Sequence, residues 1–197
     1  VFLYSGMAAI VAVYLWTLME RRMNPYSKKA GLAAFIWRLV LTTGTGSIFG
    51  FLVARQAYGS ALLAPMFIVM SFAWGLAVFL LAQAAVYAWN RMTLPADVSR
   101  RMTRLLGVFV AAALYLVAVY HGTNLYFARQ AAFEAFILLG RGAPNNLFPW
   151  LFWGGYVLLG ALLPMALLFH PRGAAPRSTL LASALIVVGA FALLFVF

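Results

Sequence analysis

Of 197 residues, 66% are apolar and 9% are charged, and 14 bases against three acids give a net charge of +11. An ordinary soluble domain, near half apolar and a quarter charged, is excluded; so is a nucleic-acid binder, because the bases flank apolar stretches instead of forming one stripe interleaved with aromatics. The absence of cysteine excludes disulfides, Cys-ligated zinc and any iron–sulfur cluster held by this chain.

Six apolar stretches, roughly 1–19, 30–54, 60–89, 105–127, 148–168 and 180–197, each approach the ~20 residues that a helix needs to cross a bilayer. The expected fold is therefore all-α, a polytopic transmembrane bundle of about six spans forming one domain over 1–197. The first stretch starts at Val1 inside an apolar run, with no initiator Met, basic leader or signal peptide, so a missing beginning is expected. It ends at Glu20-Arg21-Arg22, and Asn24-Pro25 then makes a turn. The second stretch holds Arg38, about 12 Å into a helix beginning near Ala30. It also holds the polar run Thr42-Thr43-Gly44-Thr45-Gly46-Ser47. Such a run predicts a kinked or interrupted helix inside the bundle, serving either close packing through small residues or a substrate or proton cavity. Arg38 is either a functional group or a side chain that snorkels to the near interface.

Pro65 falls in the first turn of the third stretch, where its missing N–H costs little, and Ser71, Ala73 and Gly75 suit a helix contact. The fourth stretch closes on Tyr120-His121-Gly122-Thr123-Asn124, with His121 about 9 Å inside its end. The gap 128–147 resembles a helix lying in the interface, with Phe133, Phe136, Ile137, Leu138 and Leu139 interleaved with Arg129, Gln130 and Glu134. It leaves Arg129, Glu134, Arg141 and Asn145 to dock an extrinsic subunit. Phe148, Trp150, Phe152 and Trp153 form an aromatic girdle at the start of the fifth stretch, and Pro164 kinks its later half.

Ten of the bases lie in alternate gaps: Arg21, Arg22, Lys28 and Lys29; Arg91, Arg100, Arg101 and Arg104; Arg172 and Arg177. Only Arg55, Arg129 and Arg141 lie in the others. Short basic loops stay cytoplasmic, so the gaps 20–29, 90–104 and 170–177 face the cytoplasm and both chain ends face the opposite side. The setting expected is a bacterial cytoplasmic (inner) membrane.

Catalytic constellations are lacking. Glu20, Asp97 and Glu134 share no paired-carboxylate site, and no phosphate loop or nucleophile–base pair is present. His121 and His170 lie near opposite faces, so no bis-His haem is expected, and no metal site. His121 is read either as a hydrogen-bonding helix contact or as a redox or proton site. The polar candidates for a quinone or proton path are Arg38, Thr42, Thr43, Thr45, Ser71, His121 and Asn124.

Several stretches in order resemble the membrane subunit of polysulfide reductase and its relatives, the NrfD/PsrC family, which includes membrane subunits of some hydrogenases and of alternative complex III. They are Thr45-Gly46-Ser47 followed by a short helix, Leu63-Ala64-Pro65-Met66-Phe67, Ser71-Phe72-Ala73-Trp74-Gly75, and Phe152-Trp153-Gly154-Gly155-Tyr156-Val157-Leu158-Leu159-Gly160 with Leu163-Pro164. The resemblance implies a non-catalytic anchor that passes electrons between membrane quinone, menaquinone or ubiquinone, and a ferredoxin-like iron–sulfur subunit docked on one face. It also implies the absence of haem, and in many relatives coupling to proton movement. It implies more helices than six, with the family's quinone site in earlier ones, and so a C-terminal part of a longer subunit. Three positions depart from the family pattern: Leu41 and Gly155 stand where relatives often carry His and an acid, and Tyr120–Asn124 where they often hold Arg and Glu. A structural paralogue without a quinone site, and a transporter or channel subunit with Arg38 on its path, are the alternatives.

Overall fold

The structure is a computed structural model that describes residues 2–50, 60–91, 96–142, 146–170 and 176–196. Its described residues form helices α1 (Phe2–Met19), α2 (Ser27–Gly50), α3 (Leu63–Trp89), α4 (Ala96–Tyr126), α5 (Ala128–Leu139), a π-helical stretch (Trp150–Leu162), α6 (Leu163–Phe169) and α7 (Pro176–Val196). Among the described residues five helical segments are long and apolar enough to cross a membrane, the π-helical stretch and α6 counting as one. The sixth expected span, α2, is 24 residues long, about 36 Å at the helical rise, but Lys28, Lys29 and Arg38 make it more polar.

Contacts along α2 show how it is placed. Trp37 Nε1 donates to the Leu3 carbonyl at 3.0 Å, Tyr14 lies against Gly31, and Ala64 lies against Gly46. Thus α2 runs antiparallel between α1 and α3. It is also unbroken through the polar run, which corrects the expected interruption. The hydroxyls of Thr42 and Thr45 fold back onto the carbonyls of Arg38 and Leu41, at 2.8 and 2.9 Å, so each stays within its own helix. The run works through packing instead: a Cβ on Gly46 would stand 2.6 Å from the Ala64 backbone. The short helix expected after Ser47 lies outside the described residues.

The core is a column inside α3, α4, α7 and the fifth span. One end joins Met66 and Met70 of α3, Val117 and Tyr120 of α4, Phe152 and Tyr156, and Leu193 of α7. The other joins Ala77, Leu106, Leu168 and Ile186. α4 begins at Ala96, earlier than the expected 105, so Arg100, Arg101 and Arg104 project from its first turns, all exposed.

Phe152, Tyr156, Gly160, Pro164 and Leu168 recur every fourth residue on the buried side of the fifth span. Gly160 and Gly189 bring that span and α7 into backbone contact, since a Cβ on Gly160 would stand 2.6 Å from the Gly189 Cα. The Leu163 N–H bonds the Leu158 carbonyl, five residues back. Pro164 has no N–H with which to extend that ladder, and the chain continues as α-helix.

Candidate functional site

His121 and Asn124 stand three residues apart on α4 and so share one face. Opposite them, α5 presents Glu134, whose carboxylate uses both oxygens. His121 Nδ1 lies 2.7 Å from Oε2, and the Asn124 side-chain N–H donates to Oε1 at 2.7 Å. Exposure is 4% for His121, 1% for Asn124 and 2% for Glu134, whereas Glu20 and Asp97 are exposed. With Glu134 ionised, the His121 tautomer protonated at Nδ1 donates to it, a charge-assisted bond in apolar surroundings.

Local sequence explains why α5 aims Glu134 inward. Glu134, Ile137 and Leu138 form an i, i+3, i+4 stripe, and all three are buried, while Phe133 and Leu139 face out. The helix stops at Gly140, whose φ of +69° suits glycine. Its N–H reaches the Phe136 carbonyl at 3.2 Å, and that of Arg141 reaches Ala135 at 3.3 Å, a Schellman-type closure. Two further clamps seat the C-terminal end of α5: Asn146 Nδ2 donates to the Phe136 carbonyl at 2.7 Å, and Trp153 Nε1 to the Leu138 carbonyl at 3.1 Å.

An apolar cleft of ≈340 Å³ opens beside the cluster, between α4, α5 and the π-helical stretch. Val117, Leu138, Phe152 and Val157 contribute its walls, and His121 lines it as a polar group. The Phe152 ring meets the His121 ring edge-on, with centroids 4.7 Å apart.

Of the residues expected from sequence to form a polar path, His121 and Asn124 come together. Arg38, Thr42, Thr43 and Thr45 lie on α2 and Ser71 on α3, outside this cluster. Ser71 Oγ donates to the Ile68 carbonyl at 2.8 Å. Arg38 is exposed, with its guanidinium beside Gly75 of α3. Glu134 was expected to be available to an extrinsic subunit; it is instead buried, because it lies on the apolar stripe. The spacing 134/137/138 carried that signal in the sequence. Arg141 is exposed; the Arg129 side chain and Asn145 lie outside what the structure describes. The expected girdle divides: Trp150 and Trp153 are 79% and 53% exposed, while Phe152 is core. A polar contact not anticipated joins α4 to α7, Thr103 Oγ1 to Thr179 Oγ1 at 3.3 Å. Ser183, one turn beyond Thr179, has a buried hydroxyl with no partner among the described residues.

The chain is 28% identical over 171 residues to an Hdr-like menaquinol oxidoreductase integral membrane subunit from Archaeoglobus fulgidus, a match that covers 87% of this chain and 42% of that relative. The chain therefore spans less than half the length of the relative that it matches. No solved structure matches it. A multi-pass helical bundle with this match is joined by a family-wide one: the profile of polysulphide reductase, NrfD, covers residues 1–197, and the chain belongs to the NrfD family.

Proposed function

We propose that this chain is part of an integral membrane subunit of a quinone-linked electron-transfer complex, and that it passes electrons between bilayer quinone and an iron–sulfur partner. The observation that carries the reading is the carboxylate of Glu134, buried in an apolar bundle of NrfD type and held by His121 and Asn124. Ionisable groups within membrane segments mark substrate or proton pathways by default. Quinone chemistry exchanges protons as well as electrons, and a His–Glu pair is equipped to take up and release them. The name of the Archaeoglobus relative, a menaquinol oxidoreductase membrane subunit, agrees with this. In this reading residues 1–197 form one domain of a longer subunit in a cytoplasmic membrane. The basic ends of α2, α4 and α7 face the cytoplasm. Arg141 lies on the opposite face, toward the extrinsic partner.

The test is purification of the full-length subunit in its native complex. Iron–sulfur subunits should co-purify, and added quinol should reduce their clusters, followed by electron paramagnetic resonance. A homo-oligomer without redox partners, or clusters indifferent to quinol, would overturn the reading.

A further inference from the structure

The cleft beside His121 has features that the cluster alone does not explain. Its ≈340 Å³ falls in the range of small-molecule sites, roughly 300–1,000 Å³. Its walls are apolar, and His121 supplies a polar group where an oxygen of a ligand could be met. That imidazole is fixed from behind by a carboxylate 2.7 Å away and from the side by the Phe152 ring, so its orientation is set before any ligand arrives. The mouth of the cleft is equally specific. Ala118, Gly122, Leu125 and Trp153 are exposed there, on the flank of two membrane-spanning segments. A ligand entering by that mouth comes from lipid.

These features suit an apolar ring that carries a hydrogen-bonding oxygen and a hydrophobic tail able to stay in the bilayer. A water-soluble substrate lacks the tail, and an acyl chain has no use for the imidazole. We propose that the cleft between α4, α5 and the π-helical stretch binds the ring of an isoprenoid quinol or quinone, with His121 as its polar contact: the imidazole that donates from Nδ1 to Glu134 accepts a quinol hydroxyl at its other nitrogen, and once protonated there it donates to a quinone carbonyl. This rests on the quinone-linked reading above and adds to it a site within these helices, beyond the earlier ones implied by the family resemblance.

Gly122 makes a clean test. A Cβ placed there meets nothing within 4 Å, yet the residue lines the cleft. Gly122→Leu therefore fills the mouth without a backbone clash, and it replaces a helical glycine with a better helix former. Gly154 also has open space around its Cβ but does not line the cleft, so Gly154→Leu is the control. The native complex, in nanodiscs, is labelled with an azido-quinone carrying a short isoprenoid tail, and the labelled peptides are read by mass spectrometry. Label is expected on peptides containing 114–125 or 152–157 and should be displaced by excess decyl-quinone. Gly122→Leu should lower it at least tenfold, and Gly154→Leu should leave it unchanged. Displaceable label found only on other helices, or undiminished in Gly122→Leu, overturns the proposal. Label that decyl-quinone cannot displace shows mere partitioning into lipid and overturns it as well. Quinol-dependent cluster reduction in the same preparation separates the two claims. Reduction intact with no label at the cleft removes this site alone, whereas no reduction and no displaceable label removes the quinone-linked reading with it.

Discussion

Removing Glu134 should cost more than the loss of one hydrogen bond. The Glu134→Ala variant deletes both bonds of a carboxylate that is 2% exposed and leaves His121 and Asn124 buried. Buried bonds to charged groups contribute about 1.5–3 kcal/mol each in soluble proteins, so two would contribute about 3–6 kcal/mol. Polar pairs between membrane helices average about 0.6 kcal/mol, because the unfolded helices in lipid find other partners. The low end of the first range should hold, about 3 kcal/mol, since one change strands two polar groups at once. The decisive quantity is the coupling. In a double-mutant cycle of His121→Ala and Glu134→Ala, the second change finds its partner already gone, and the interaction free energy should be about 1–1.5 kcal/mol. The assay is equilibrium unfolding of the full-length subunit in bicelles by steric trapping. Additivity within about 0.5 kcal/mol would refute the claim that the 2.7 Å contact holds α5 onto α4.

Gly160→Ala should destabilise by about 2 kcal/mol in the same assay, because its Cβ would strike the Gly189 backbone at 2.6 Å. Gly154→Ala, in open space, should lie within about 0.5 kcal/mol of the parent. Residues 1–197 contain no cysteine, so single cysteines introduced here, in a subunit cleared of any others, report topology. Single cysteines at Ser27 and Ser99 should be hidden from an impermeant maleimide outside the cell and one at Asn145 reached, and the reverse pattern would overturn the orientation. If the exposed Arg38 faces the interior of the whole assembly, where an intramembrane guanidinium costs at least ~2.5 kcal/mol unless partnered, Arg38→Leu should reduce complex assembly or coupled turnover; parental assembly and turnover would leave only snorkelling.

The all-α class could be read from composition because bilayer thickness imposes a length on every helix. Five spans met that test on length and apolarity, and α2 matches it in length alone. The polar run of α2 misled because a glycine-rich, hydroxyl-rich sequence has two physical outcomes. It can break where a cavity must be lined, or continue as a helix when the glycines meet a neighbour and the hydroxyls return to their own backbone. Only the position of Ala64 against Gly46 decides between them, and that contact lies between two different helices. Two of the three cluster residues were legible: His121 and Asn124 stood out as polar groups at the end of a span. Glu134 was assigned to the wrong face because charge outweighed periodicity, although its stripe with Ile137 and Leu138 was present. The π-helical stretch had no clear sequence signature beyond an apolar residue, glycine or proline at every fourth position.

Stability alone does not account for the cluster. Replacing a buried ionic or polar group together with all its partners by apolar side chains is often neutral, or stabilising by about 1–4 kcal/mol, whereas removing one partner is costly. Three leucines at 121, 124 and 134 would join α4 to α5 without burying a carboxylate, an amide and an imidazole, and Phe152 and Leu138 already supply apolar neighbours. What leucines cannot do is hold a proton beside an apolar cleft. The triple variant His121→Leu/Asn124→Leu/Glu134→Leu should therefore unfold at least as reluctantly as the parent, and up to about 2 kcal/mol more so. Its quinol-dependent cluster reduction should fall at least tenfold while the complex still assembles. An assembled triple variant with parental turnover would show that the cluster serves only to join helices. A triple variant several kcal/mol less stable would show that the three polar groups are retained for the fold, and the proton-handling role would lose its physical basis.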